Sequence, residues 1–153
     1  MIFMTLTGTF IVFLTLINIT QVYGQRKTVH TNSITSKISI DGKLNEETWK
    51  SAKTATDFVM YQPDNGKPIN ENKKTEIKVV YDNDAVYIAA TLYDEEPSKI
   101  KKEITNRDSF GVTDYFSVFI NDFNDGQQDF RFYVTAAGVQ LDCIATEDYK
   151  GFS

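Results

Sequence analysis

The stretch from residue 75 to 93 limits what this chain can fold into more than any other. Ile77, Val79 and Tyr81 alternate with Glu76, Lys78 and Val80, which is the two-residue period of a strand. Asp82-Asn83-Asp84 then supplies turn formers, and residues 85–93 read as the return strand. Within that strand Val86, Ile88, Ala90 and Leu92 share one face, and Tyr87, Ala89, Thr91 and Tyr93 share the other. A strand that is apolar on both faces predicts cover on both sides, as in the inner part of a sandwich.

The remaining pattern agrees. Residues 115–120 place Phe116, Val118 and Ile120 on one side and Tyr115, Ser117 and Phe119 on the other. Residues 129–135 are expected to turn Phe130, Phe132 and Val134 inward and Asp129, Arg131, Tyr133 and Thr135 outward. Ala137-Gly138 turns the chain into a last strand over 139–144. Upstream, Asn45 is the expected N-cap of a short helix, with Glu46 and Glu47 in its first turn and Lys50 and Lys53 near its end. Leu44 and Trp49 have the spacing of a hydrophobic staple, which assigns Trp49 to the core rather than to a binding surface. A strand is expected at 58–61, a polar loop at 63–74 turning at Asp64-Asn65-Gly66, and a helical turn at 98–104. The fold class expected is mainly β, an antiparallel β-sandwich with one short helix near the N-terminus.

Residues 1–19 carry no charge and no proline, and Val22-Tyr23-Gly24 precedes Arg26 and Lys27. Compact residues at the third and first positions before a cut suit signal peptidase, so residues 1–24 read as a signal peptide cleaved after Gly24, although no Lys or Arg opens it. Gly8, Thr9 and Asn18 break the apolar run and argue against a membrane anchor. The expectation is an exported protein, secreted or in the cell envelope, with no transmembrane segment in the mature chain. Residues 25–36 are polar and unpatterned, the expected flexible lead-in to a module over 37–153. That module is expected to be incomplete, with closing strands missing, because no strand follows 139–144 to pair with it. The formal net charge of −5 lies wholly after Gly24 and weakens the case for nucleic acid, which is not the expected partner; the one basic run, Lys99 to Lys102 interrupted by Ile100, reads as the solvated end of a short helix. Cys143 is the single cysteine and reads as a buried, inert thiol in an apolar strand.

Catalytic chemistry finds little footing. His30 is the only histidine and lies in the lead-in, leaving no base for a nucleophilic serine or cysteine. No catalytic residue is expected. In the loop Asp122-Phe123-Asn124-Asp125-Gly126, the side chains of Asp122, Asn124 and Asp125 are candidate oxygen ligands for a hard cation such as calcium. The same residues also suit an ordinary hairpin turn. If the strands at 115–120 and 129–135 are adjacent, the outward row Tyr115, Ser117, Arg131 and Tyr133 offers rings, a hydroxyl and a guanidinium on one sheet face. Rings pack on the C–H faces of sugars while charged donors take their hydroxyls, although an ordinary cross-strand ladder has the same composition.

Three blocks resemble family 9 carbohydrate-binding modules. Residues 39–49, Ser-Ile-Asp-Gly-Lys-Leu-Asn-Glu-Glu-Thr-Trp, are similar to the opening Ile-Asp-Gly-x-Leu-x-Glu-x-x-Trp pattern. Residues 75–94 look like the central hairpin of the family, and 114–121 like its next strand. The closest variant, with Phe110-Gly111 and Asn124-Asp125-Gly126, resembles the N-terminal domain of large secreted bacterial proteins. The resemblance implies a β-sandwich that binds a polysaccharide or oligosaccharide, often attached to xylanases, with calcium as a structural ion. It makes Arg131 the candidate for the arginine that hydrogen-bonds sugar hydroxyls. Ser117 replaces a sugar-contacting glutamate, and Phe110 is the nearest aromatic to one of the paired tryptophans. The expected function is carbohydrate binding by a secreted module of a carbohydrate-active or envelope protein, in polysaccharide catabolism. The alternatives are a docking domain that has lost its sugar site, or part of a glycoside hydrolase.

Overall fold

The computed structural model describes residues 27–146. The expected signal peptide and the last seven residues of the chain lie outside them. Among the described residues no helix is long and apolar enough to cross a membrane.

The hairpin forms as its alternation predicts: β3 (Thr75–Tyr81) pairs antiparallel with β4 (Val86–Leu92), in register from Thr75 opposite Leu92 to Tyr81 opposite Val86. Asp82 closes the turn. Its Oδ1 accepts the backbone N–H of Asp84 and of Ala85, both at 2.8 Å, and its Oδ2 accepts the Tyr87 hydroxyl at 2.9 Å. Those bonds to the ionised form hold the Asp82 carboxyl below the usual carboxylate range. The other edge of β3 is shared. β1 (Asn32–Ser33) runs parallel beside Val80 and Tyr81, and β2 (Thr54–Ala55) runs antiparallel beside Ile77 and Lys78. Polar residues expected to be an unpatterned lead-in therefore contribute a strand, held by backbone bonds that no apolar pattern announces.

Helix α1 (Glu47–Ser51) lies over one face of this sheet. Trp49 is 4% exposed and clusters with Ala52, Val80 and Ala89, with Ile34, Ile38 and Tyr87 packed around it. Lys78, on the same face as Val80, donates its Nζ to the Trp49 carbonyl. The N-cap is Glu46, one residue later than expected, and it makes no side-chain cap bond; its Oε1 accepts the Ser39 N–H at 3.0 Å instead. The strand expected at 58–61 is reduced to a bridge between Val59 and Pro68. Pro68 has no N–H to extend a ladder, and the chain folds back there through Gly66 N–H to the Met60 carbonyl. The helical turn expected at 98–104 is a single 3-10 turn at Pro97–Lys99.

A second, antiparallel sheet holds β5 (Tyr115–Ile120), β6 (Gln128–Thr135) and β7 (Gln140–Thr146) in sequence order. One face carries Phe116, Val118, Ile120, Phe132 and Val134. With Val86 and Ile88 of β4 it lines a cleft of about 850 Å³ between the two sheets. The apolar faces thus confront each other as in a β-sandwich, but Phe132 and Val134 stay 48% and 41% exposed. The opposite face, expected to be outward, is the better covered: Tyr133, Thr135, Leu141 and Cys143 are buried. The inversion has a local cause, because Phe110 and Val139 pack over Tyr133, Leu141 and Cys143. Cys143 is a buried thiol, as expected.

The edge of β7 is not bare along its whole length. Asp108 N–H donates to the Gln140 carbonyl at 3.1 Å, and Asp142 N–H donates to Asp108 Oδ1 at 3.3 Å. Arg107 pairs with Asp142 and reaches Gln140 Oε1. A charged loop covering an edge blunts further strand pairing.

Two outcomes follow. Trp49→Ala removes the largest side chain of the first core cluster and is expected to cost about 3–5 kcal/mol in urea denaturation; a loss below ~1 kcal/mol would show that α1 is not part of that core. Asp82, with its folded pKa below the unfolded value of about 3.9, adds stability that is present above that pH and is lost as pH falls through the folded pKa. Denaturation midpoints compared between pH 2 and 7 should therefore show a shallower acid limb for Asp82→Ala than for the parent.

Candidate functional site

The register of β5 against β6 assembles the candidate residues. Ser117 lies opposite Tyr133, Phe119 opposite Arg131, and Tyr115 opposite Thr135. Because side chains alternate, all of these share one face with Asp129, Leu141 and Cys143.

Tyr133 is the floor. It is 9% exposed, and three rings converge on it with centroids 5.3 Å (Phe110), 5.8 Å (Tyr115) and 5.8 Å (Phe119) away, all edge-on. Phe110 also meets Tyr115 at 5.1 Å. Edge-to-face packing sets the positive rim of one ring against the negative face of the next, and is favoured at these separations. Burial pushes the Tyr133 phenol above its ordinary range. Tyr115 and Phe119 are each 55% exposed, so theirs are the ring surfaces open to a ligand.

Phe110 reaches this cluster from a loop tied to β7 by Arg107 and Asp108. The loop is also tied to itself: Glu103 Oε2 accepts the Val112 N–H at 2.7 Å, and the Thr105 hydroxyl donates to the Ser109 carbonyl at 2.6 Å. A Cβ on Gly111 would stand 2.7 Å from Glu103 Oε2 and 2.9 Å from Thr105 Cγ2, so this packing has room only for glycine unless those side chains move.

Arg131 occupies the far side of the cluster, half-buried. Its Nε donates to Asp129 Oδ2 at 2.9 Å and its Nη2 reaches Asp129 Oδ1 at 3.5 Å. The guanidinium carbon stands 4.8 Å from the centroid of the Phe119 ring. The Asp129 carboxylate, with a smaller contribution from Tyr133, holds the guanidinium still more firmly protonated than usual. Arg131 is thus oriented by Asp129 and Phe119. Both residues were legible as members of this face, but nothing in the strand pattern singled them out. The cue was their two-residue offset from Arg131 and from Ser117.

The acidic loop behaves as a turn. Asn124 and Gly126 have φ of 52° and 72°, and Asp125 Oδ1 accepts the Gln127 N–H at 2.9 Å. Calcium takes six to eight oxygen ligands. Among the described residues, leaving Asn124 and backbone carbonyls aside, no three His, Cys, Asp or Glu side chains come together.

A family model described as carbohydrate family 9 binding domain-like matches residues 40–143, a span that holds every residue of the ring cluster and the Asp129–Arg131 pair. No curated protein and no solved structure matches the chain.

Removing the ring that roofs Tyr133 tests the cluster. Phe110→Ala loses at least two ring pairs, worth about 0.5–1.5 kcal/mol each beyond the apolar area they bury, so urea denaturation should show a loss of at least about 1–3 kcal/mol. An unchanged midpoint would mean that the loop does not seat Phe110 on Tyr133 in solution.

Proposed function

We infer, since this chain belongs to the carbohydrate family 9 binding domain-like family, that it binds a polysaccharide or oligosaccharide on the Tyr115–Phe119–Arg131 face of its second sheet. The single observation that carries this reading is the posture of Arg131. Asp129 takes the Nε–Nη2 edge of the guanidinium, whose carbon stands over the Phe119 ring, the Tyr133 side chain is also hydrogen-bonded to it, and the Nη1–Nη2 edge is the one a ligand would meet. Two parallel N–H groups on that edge match vicinal sugar hydroxyls, and the open rings of Tyr115 and Phe119 offer the apolar surface on which sugar C–H groups pack. Ser117, half-buried between them, adds a hydroxyl.

The module is exported, with residues 1–24 as its signal peptide, and serves a carbohydrate-active or envelope protein in polysaccharide breakdown without catalysing the cleavage. The apolar run before Val22-Tyr23-Gly24 supports export. One observation favours a docking role instead. The tyrosine at the centre of the face is buried under Phe110 rather than offered to a ligand.

Calorimetric titration with xylan- and cellulose-derived oligosaccharides separates the two. Arg131→Ala is expected to weaken binding tenfold to a hundredfold, equivalent to about 1.5–3 kcal/mol. Binding untouched by Arg131→Ala moves the site elsewhere, and absence of heat with every glycan favours docking.

A further inference from the structure

We propose that Asp129 is the positioning and charge-selecting residue of this face: it aims the Arg131 guanidinium and turns away ligands that carry a carboxylate. The inference rests on the glycan-binding reading above and deepens it, adding ligand selection to the residue that orients Arg131.

The argument starts from what a lone arginine on a sheet would do. A guanidinium free to rotate would spend conformational entropy on each hydroxyl it bound, and its full positive charge would favour carboxylates over neutral hydroxyls. Here both properties are altered by one neighbour. Asp129 and Arg131 stand two residues apart on β6, hence on the same face, and each side chain is only about a quarter exposed, at 26% and 28%. The 2.9 Å bond to Nε sets the plane of the fork, and Phe119, opposite Arg131 on β5, supplies a ring 4.8 Å from the guanidinium carbon. Carboxylate and ring, with the Tyr133 side chain that is also hydrogen-bonded to the guanidinium, fix the fork, and the Nη1–Nη2 edge is the one a ligand would meet. The Asp129 charge also offsets the arginine charge locally, so a ligand carboxylate approaching the open edge would meet a like charge within a few ångströms, in a setting less screened than bulk water.

The test titrates the parent and Asp129→Asn with two probes of equal length, a neutral xylo-oligosaccharide and an oligogalacturonate. The asparagine keeps the shape and removes the charge. Affinity for the neutral probe should fall about fivefold to tenfold, and the ratio of galacturonate to neutral binding should rise about tenfold. A parallel change for both probes, or none, overturns the proposal. Phe119→Leu, which keeps apolar volume but removes the ring, should weaken the neutral probe without changing that ratio, and guards against an Asp129 variant that fails to fold. If the parent binds neither probe, the glycan-binding reading fails by itself. The Arg131 Nε–H resonance then decides the positioning role: slow solvent exchange and contacts to Phe119 ring protons, both lost in Asp129→Asn, support it, and a rapidly exchanging Nε–H in the parent overturns it.

Discussion

The burial of Trp49 against Val80 and Ala89 is the contact from which the rest of the arrangement follows. Strand residues have only two faces, so placing one on the helix side commits all its neighbours. Once Val80 and Ala89 lie beneath α1, Val86 and Ile88 must point the other way, into the space between the sheets. Lys78 follows the same parity and finds itself under the helix, where its long stem spans the apolar contact and its ammonium meets the Trp49 carbonyl. A helix of five residues has little stability of its own; the tryptophan it delivers is what fixes it in place.

Parity acts again in the second sheet, with another agent. Phe110, arriving from a loop, covers the face of Tyr133, Leu141 and Cys143. Arg131 and Asp129 belong to that face by register alone. The ring cluster and the ion pair are therefore consecutive rungs of one ladder, and the packing that buries Tyr133 also sets the height at which Arg131 meets Phe119. A loop tied down by Arg107, Asp108 and Glu103 is what gives this face its roof.

Much of this was legible in the amino-acid order, and the boundary of legibility is physical. The hairpin at 75–92 was readable because its determinants are local: alternation along each strand and an Asx-type turn at Asp82. The grouping of Tyr115, Ser117, Arg131 and Tyr133 was readable in the same way, since period-two spacing puts them on one face once the two strands are neighbours. Which face of that sheet is covered was not readable. It depends on Phe110 and Val139 reaching over from outside the strand pair, and the fully apolar row Phe130, Phe132 and Val134 looked like the better candidate for burial. The parallel strand at Asn32–Ser33 was hidden because its bonds come from the backbone, and polar residues carry those as well as apolar ones do. Phe119 and Asp129 were visible as members of the face, but their hold on Arg131 is a side-chain matter that no periodicity encodes.

The two core clusters have different optical character. The only tryptophan of the chain projects from α1 onto the first sheet, whereas the second sheet's cluster is built on tyrosine and phenylalanine. Indole emission excited at the red edge of its absorption therefore reports on one half of the molecule, whereas the near-ultraviolet circular dichroism of the tyrosines draws on both, on Tyr115 and Tyr133 in the second sheet and on Tyr87 in the first. The molecule thus carries one native reporter confined to the first sheet and another that spans both. Whether the halves melt together or one after the other is readable from the coincidence of two spectroscopic traces, without attaching a label to either.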